Sequence, residues 1–172
     1  MQKPGKKDKT LCYLIKKDRN GKITHICMGM KTRGLGEGRW NGAGGKVGDR
    51  PEIADETVRE ACVREVKEEF GVIITEFKKA GMLEFQIEGE QEIVDGHVFV
   101  ATKWKGKLTD SEEMNKVHWF QVDEIPYDKM WVTDAHWLPY LIEGKYFEAS
   151  YIFIDEGTLA KKSIKVREDC DS

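Results

Sequence analysis

Arg64-Glu65-Val66-Lys67-Glu68-Glu69-Phe70-Gly71-Val72 decides the fold of this chain. On a helix, Glu65, Glu68 and Glu69 fall on one side at offsets of three and four residues, where side chains are neighbours. Like charges so placed repel unless something neutralises them. One reading is a solvated acidic surface. The other is a divalent cation, because hard oxygen ligands suit magnesium or manganese. Arg64 beside Glu65, Glu56 eight positions before Arg64, the closing Gly71 and the pair Gly44-Gly45 upstream favour the second.

Working outward, the apolar residues Val58, Ala61, Cys62, Val66 and Phe70 form a stripe at helical spacing opposite much of the acidic face. The pattern predicts a helix over 56–70, with Asp55 as N-cap and Gly71 as the left-handed terminal residue. Buried on one face and coordinating on the other, such a helix fastens a metal site to a core. Upstream, 10–15 and about 23–30 read as strands joined by the turn Asp18-Arg19-Asn20-Gly21. Seven glycines between 33 and 50 predict a loop-rich region of close backbone approaches. Downstream, strands are expected near 81–88, 95–104, 116–122, 145–154 and 161–166. A second helix near 133–143 contains Pro139, which should kink or shorten it. Residues 1–8 and 167–172 read as frayed tails. The sum is one domain over 1–172, ordered from about 10 to 166, of the α+β class: a mixed sheet with helices on its faces, an α/β/α sandwich.

Composition narrows the function. The 172 residues carry a net charge of −3, with 40% hydrophobic and 34% charged residues. No lysine-arginine stripe suggests a nucleic-acid polymer as partner, and no run of eighteen apolar residues suggests a membrane span. The basic start, Met1 to Lys9, is not followed by the apolar segment of a signal peptide. A cytoplasmic monomer is expected. Cys12, Cys27, Cys62 and Cys170 show no CxxC pair, so reduced thiols are expected, three of them in apolar core segments. Lys31, Arg33, Arg39, Lys46 and Arg50 are either solvated charge or a positive rim that draws a polyanion to the acidic helix.

The glycine pair, Glu56, Arg64-Glu65, Glu68-Glu69 and Gly71 together resemble the signature of the Nudix family. Within that family the likeness is to the MutT homologues of mammals that hydrolyse 8-oxo-dGTP. It is carried by Met30-Lys31, Arg33-Gly34, Gly38 to Gly42, Gly44 to Val47, Val98-Phe99, Asp110 to Met114, Trp119 to Gln121, Ile125-Pro126, Met130-Trp131 and Trp137, and spans about residues 10–168.

The resemblance implies the Nudix fold and metal-dependent hydrolysis of oxidised purine nucleoside triphosphates to monophosphate and pyrophosphate. It implies metal ligands in the Gly44 carbonyl, Glu65, Glu68, Glu69 and Glu113, with Mg2+ as cofactor and Mn2+ as an alternative. Arg64 would fix a carboxylate rotamer, and Glu56 would hold the glycine loop. Which glutamate acts as base stays open. Asn41, Asp134 and Trp131 match the residues that read and stack on the base; Thr133, Lys31, Phe85 and Leu35 match pocket positions. Taken singly, Glu113 could be an acidic turn, Trp131, Phe85 and Leu35 core residues, and Lys31 a solvated strand end.

Two departures stand out. Ten residues separate Gly45 from Glu56 where the family signature has five, so a longer loop should bulge outward there. Thr133-Asp134 stands where the mammalian proteins have two aspartates, which implies narrower acceptance of 2-oxo-dATP. Ala43 also replaces a family Phe. Other Nudix substrates, including ordinary dNTPs and methylated purine nucleotides, form the nearest alternative. A non-catalytic binding domain and an RNA cap hydrolase are further ones.

Overall fold

In the computed structural model, which describes residues 5–169, a nine-stranded mixed sheet carries one helix on each side. The strands are β1 (Lys6–Lys17), β2 (Ile23–Lys31), β3 (Trp40–Asn41), β4 (Ala43–Lys46), β5 (Ile73–Ile87), β6 (Ile93–Lys105), β7 (Met114–Gln121), β8 (Lys145–Asp155) and β9 (Thr158–Glu168). The helices are α1 (Val58–Phe70) and α2 (Asp134–Ile142). The main path runs β3-β2-β1-β6-β5-β8-β9, with β4 on β1 and β7 on β2. The pairs β1–β6 and β5–β8 are parallel and the others antiparallel.

β1 is the organising strand. One edge pairs with β6; the other changes partner, from β4 at Lys9–Cys12 to β2 at Ile15–Lys17. Because alternate side chains point to opposite faces, Cys12 and Leu14 join a core under α1 with Cys62, Val66, Phe70 and Phe99. Tyr13 and Ile15 join a second core with Trp137, Leu138 and Leu141 of α2. The change of partner lets β4 lie against α1 while staying hydrogen-bonded to the sheet, which places the glycine pair under the acidic face.

α1 begins two residues later than the spacing suggests, and its cap differs. Thr57, not Asp55, caps it: its hydroxyl accepts from the Glu60 N–H at 3.1 Å and the Glu60 carboxylate accepts from the Thr57 N–H at 3.3 Å. This reciprocal capping box satisfies two otherwise orphaned donors and leaves Glu56 outside the helix. Gly71 closes the helix at φ +78°, donating to the Lys67 carbonyl. Pro139 lies inside α2, which ends after nine residues.

Other boundaries move outward. Lys6–Asp8 are not a frayed tail but pair with Ile93–Asp95, and Arg167 and Glu168 pair with Tyr146 and Lys145. β5 starts at Ile73, well before 81; register shifts near Glu76 and Lys79 break the alternation there. Ala43–Lys46, expected as loop, is a strand. Cys12, Cys27 and Cys62 are buried and unbridged; Cys170 lies outside the described residues. Among the described residues no helix is long and apolar enough to cross a membrane.

Candidate active site

The two glycines of β4 matter because they have no side chains. A Cβ on Gly44 would lie 1.9 Å from the Thr10 carbonyl oxygen, and one on Gly45 would lie 2.4 Å from Glu65 Oε1. Their absence lets α1 press its carboxylates onto the strand. Glu69 Oε1 accepts from the Gly44 N–H at 2.7 Å. Arg64 ties the assembly together. Its Nε and Nη2 hold both Glu56 oxygens at 2.6 and 2.9 Å, Nη2 also reaches the Lys46 carbonyl at 3.0 Å, and Nη1 reaches Glu65 at 2.9 Å and Glu68 at 3.2 Å. Glu56 accepts in turn from the Gly48 N–H at 3.1 Å. The guanidinium fork therefore orients three carboxylates, Glu56, Glu65 and Glu68, and pins the glycine strand, a geometry that lysine cannot reproduce.

The longer loop before Glu56 forms a 3-10 turn at Pro51–Ile53, with Arg50 to Glu52 exposed. It is tied back twice, by the Gly48 N–H on Glu56 and by Arg50 Nη2 on Glu68 at 3.3 Å. Glu52 plays no part in the Arg64 network, pairing instead with Arg50 at 3.6 Å.

Burial pushes the Glu69 carboxyl up to about 7, against the opposing pull of the Gly44 N–H and Lys31. Burial raises Glu65 as well, with Arg64 opposing, whereas the Arg64 hydrogen bonds lower Glu56. Glu69 Oε2 is buried with no hydrogen-bond partner among the described residues. Lys31 Nζ lies 3.8 Å from Glu69 and 3.5 Å from Glu113; Arg33 also reaches Glu113 at 3.5 Å. Glu113 is brought close by β7, whose approach is fixed by Thr32 donating its N–H to the Glu113 carbonyl at 3.0 Å. A small cavity lined by Arg33, Glu68, Glu69, Ser111, Glu112 and Glu113 joins helix to loop. Among the described residues no three carboxylates converge on one point, since basic or backbone groups hold each of them. The donor set still suits a hard divalent ion: an orphaned, desolvated carboxylate oxygen on Glu69, Glu65 and half-exposed Glu68 on the same helix face, and half-exposed Glu113 across from them.

The same cleft, of about 980 Å³, extends from these glutamates to a pocket containing Asn41, Phe85, Trp131, Thr133 and Asp134. Asn41 Oδ1 accepts from the Tyr13 hydroxyl at 3.1 Å and from the Gly42 N–H at 2.9 Å. A backbone N–H demands an acceptor, so the amide's NH2 group is the end left to meet a ligand. Asp134 is buried, accepts from the Trp131 N–H at 3.0 Å, and is pushed up to about 7 by that burial. Arg39 stacks on Trp131 with its Cζ 4.3 Å from the ring centroid and pairs with Glu156 at 3.0 Å. The guanidinium thus covers one face of the indole. Thr133 is buried beside Asp134. Phe85 lines the cleft while stacking on Tyr151 at 5.8 Å, and Leu35 is 62% exposed at the mouth. Cleft residues that the sequence reading passed over are Lys9, Thr10, Val94, Gly96 and Phe153. Alternation on β1 puts Lys9 and Thr10 on opposite faces but does not give what lies across from either.

A family model for the NUDIX domain matches residues 10–141. The chain is 39% identical over 140 residues to the oxidized purine nucleoside triphosphate hydrolase of Mus musculus, covering 81% of this chain and 86% of that one. It is 35% identical over 144 residues to the protein of the same name from Danio rerio, covering 84% and 88%. Among solved structures, a MutT protein from Bacillus halodurans has the same fold, with a TM-score of 0.75 at 21% identity over 92% of this chain and 97% of that one. The glycine strand, the Arg64 network and the acidic helix face thus sit in a chain that belongs to the Nudix family.

Proposed function

We propose that this protein hydrolyses oxidised purine nucleoside triphosphates, chiefly 8-oxo-dGTP, to the monophosphate and pyrophosphate, and so cleans the nucleotide pool. The observation that carries the reading is a single cleft with desolvated glutamates at one end and Asn41, Asp134 and Trp131 at the other. The names of the mouse and zebrafish relatives support the substrate class.

The Gly44 carbonyl, Glu65, Glu68, Glu69 and Glu113 are the groups that would hold magnesium, or manganese in its place. Bound there, the ion supplies charge neutralisation for phosphoryl oxygens and an acidified water. The chain's own residues do the rest. Arg64 and Glu56 keep Glu65 and the glycine strand in register. Lys31, between Glu69 and Glu113, offers positive charge to the phosphates. Trp131 gives the base a flat platform, where stacking contributes about 1–3 kcal/mol. Ionised Asp134 accepts from N1–H and the 2-amino group of a guanine-type base, and the Asn41 NH2 donates to a carbonyl edge. Water bonds to the β-phosphorus, the bond from that phosphorus to the α–β bridging oxygen breaks, and a carboxylate takes the water's proton. The nucleoside monophosphate leaves, and pyrophosphate carries the new oxygen.

The reading includes a cytoplasmic monomer that acts on small nucleotides and not on nucleic-acid polymers, consistent with the net charge of −3. Product analysis with 8-oxo-dGTP, 2-oxo-dATP, dGTP and a methylated purine triphosphate tests it. Pyrophosphate and monophosphate from the oxidised substrates are expected; orthophosphate as the main product, or best turnover of an unmodified dNTP, contradicts the reading.

A further inference from the structure

Among the described residues five glycines lie inside strands: Gly29, Gly44, Gly45, Gly81 and Gly96. At four of them a side chain would not fit. A Cβ would lie 1.9 Å from the Thr10 carbonyl oxygen at Gly44, 2.4 Å from Glu65 at Gly45, 2.5 Å from the Phe147 ring at Gly81, and 3.2 Å from Val117 at Gly29. Gly96, on β6, is different. The nearest atoms to a Cβ there would be the Leu83 carbonyl oxygen at 3.4 Å, Leu83 Cβ at 3.5 Å and Phe85 Cε2 at 3.7 Å, all ordinary contacts. Its φ is not positive either. A glycine weakens a strand interior, having no side chain to pack, and often marks a place where a ligand approaches the backbone. Neither packing nor backbone geometry calls for one here, which leaves the cleft side of Gly96 to account for it.

That side belongs to the base end. Gly96 alternates with Val94 and Val98 on β6 and pairs with Leu83 on β5, so it shares the sheet face that carries α2. It lines the cleft together with Leu11, Leu83, Phe85 and Val94. Asp134 acts on the same patch: after burial, its carboxylate is the main cause raising the hydroxyls of Tyr13 and of Tyr151, whose ring stacks on Phe85. The core under α1, with its carboxylates, lies on the opposite face. The bare backbone at Gly96 is thus a notch in the floor of the base pocket. We propose that Gly96 sets the depth of that pocket, so that a two-ring purine seats against its backbone and a side chain there would shut purines out. The inference rests on the nucleotide reading above and adds a residue that selects for base size.

The test compares full-length wild type, Gly96→Ala and Gly96→Val by calorimetric titration with 8-oxo-dGMP, dGMP, dCMP and inorganic pyrophosphate, magnesium present throughout. One methylene more or less in a pocket is worth about 10–200-fold, so the alanine variant should bind both purine monophosphates about tenfold more weakly, and the valine variant more weakly still. KM for 8-oxo-dGTP should rise in the same order. The one-ring dCMP should be weakened less, and pyrophosphate, which has no base, should bind all three proteins alike. Neither variant should melt below wild type, because a Cβ fits and strands favour valine and tolerate alanine better than glycine. Unchanged purine affinity in Gly96→Val, equal weakening of pyrophosphate, or a clear drop in melting temperature overturns the proposal. Both purines should weaken in parallel whichever of them wild type prefers, so this result stands apart from whether 8-oxo-dGTP is the right nucleotide.

Discussion

Gly45→Ala separates the site from the fold more cleanly than removal of any carboxylate. The added methyl would sit 2.4, 2.6 and 2.9 Å from Glu65 Oε1, Cδ and Oε2, where ordinary contact begins near 3.4 Å. The Glu65 carboxylate must therefore retreat by about 1 Å, the difference between 3.4 and 2.4. Its 2.9 Å bond to Arg64 lengthens or breaks as it moves. A misplacement of that size at a reacting centre costs about a hundredfold in rate. The nearest atoms belong to the end of a flexible side chain, and no positive φ forbids an alanine there. Folding should hardly change. The assay is pyrophosphate release at saturating substrate alongside thermal melting. A kcat near wild type refutes the claim that Glu65 must lie against the glycine strand. A collapse of the melting temperature would mean that the glycine serves the fold instead. Gly44→Ala is the contrast: its methyl would meet the Thr10 backbone oxygen at 1.9 Å, and neither strand can yield without losing the β1–β4 ladder.

Arg64→Lys should cut both stability and turnover, since lysine cannot serve five acceptor atoms; leaving the half-buried Glu56 carboxylate short of its partner costs about 1–3 kcal/mol, and an unchanged denaturation midpoint would oppose the clamp. Burial raises Asp134 from 3.8 to about 7. Its burial therefore carries no penalty below the unfolded value, and the full penalty appears as pH rises through the folded one. Asp134→Asn should gain melting temperature relative to wild type between about pH 4 and about pH 8; a constant difference refutes the shift. In wild type, KM for 8-oxo-dGTP should fall as pH rises through about 7, where the carboxylate ionises, and this dependence should vanish in Asp134→Asn. Thr133 cannot exchange a proton with Asp134, so we expect 8-oxo-dGTP to be favoured strongly over 2-oxo-dATP. Thr133→Asp should narrow that preference, and equal selectivity in the two proteins would sink the idea.

The acidic helix was legible because its signal is local. Carboxylates at offsets of three and four, an apolar stripe behind them and a terminal glycine belong to one turn after another of the same element. The cap was misassigned: Thr57-x-x-Glu60 carries the capping-box pattern, but Asp55 offered a competing oxygen two positions earlier. β4 was not legible: Ala43-Gly44-Gly45-Lys46 has no side-chain alternation to read, and only its ladder with β1 makes it a strand. The early half of β5 was hidden for a related reason, because register shifts interrupt its pattern. Arg39 showed as rim charge, but its stacking on Trp131, a contact between residues 92 positions apart in the numbering, did not show. Lys9 was passed over because it falls between the expected tail at 1–8 and the expected strand at 10–15. Chemistry written along one helix could be read; chemistry assembled across strands shows only in the fold.

The most direct test of the central claim is pyrophosphate release from 8-oxo-dGTP and dGTP, side by side with magnesium, by wild type and Glu69→Gln. The account predicts a strong preference for the oxidised nucleotide in wild type and near-complete loss of release in the variant. Equal turnover of the two nucleotides would contradict the base pocket, and an active Glu69→Gln would contradict the metal site.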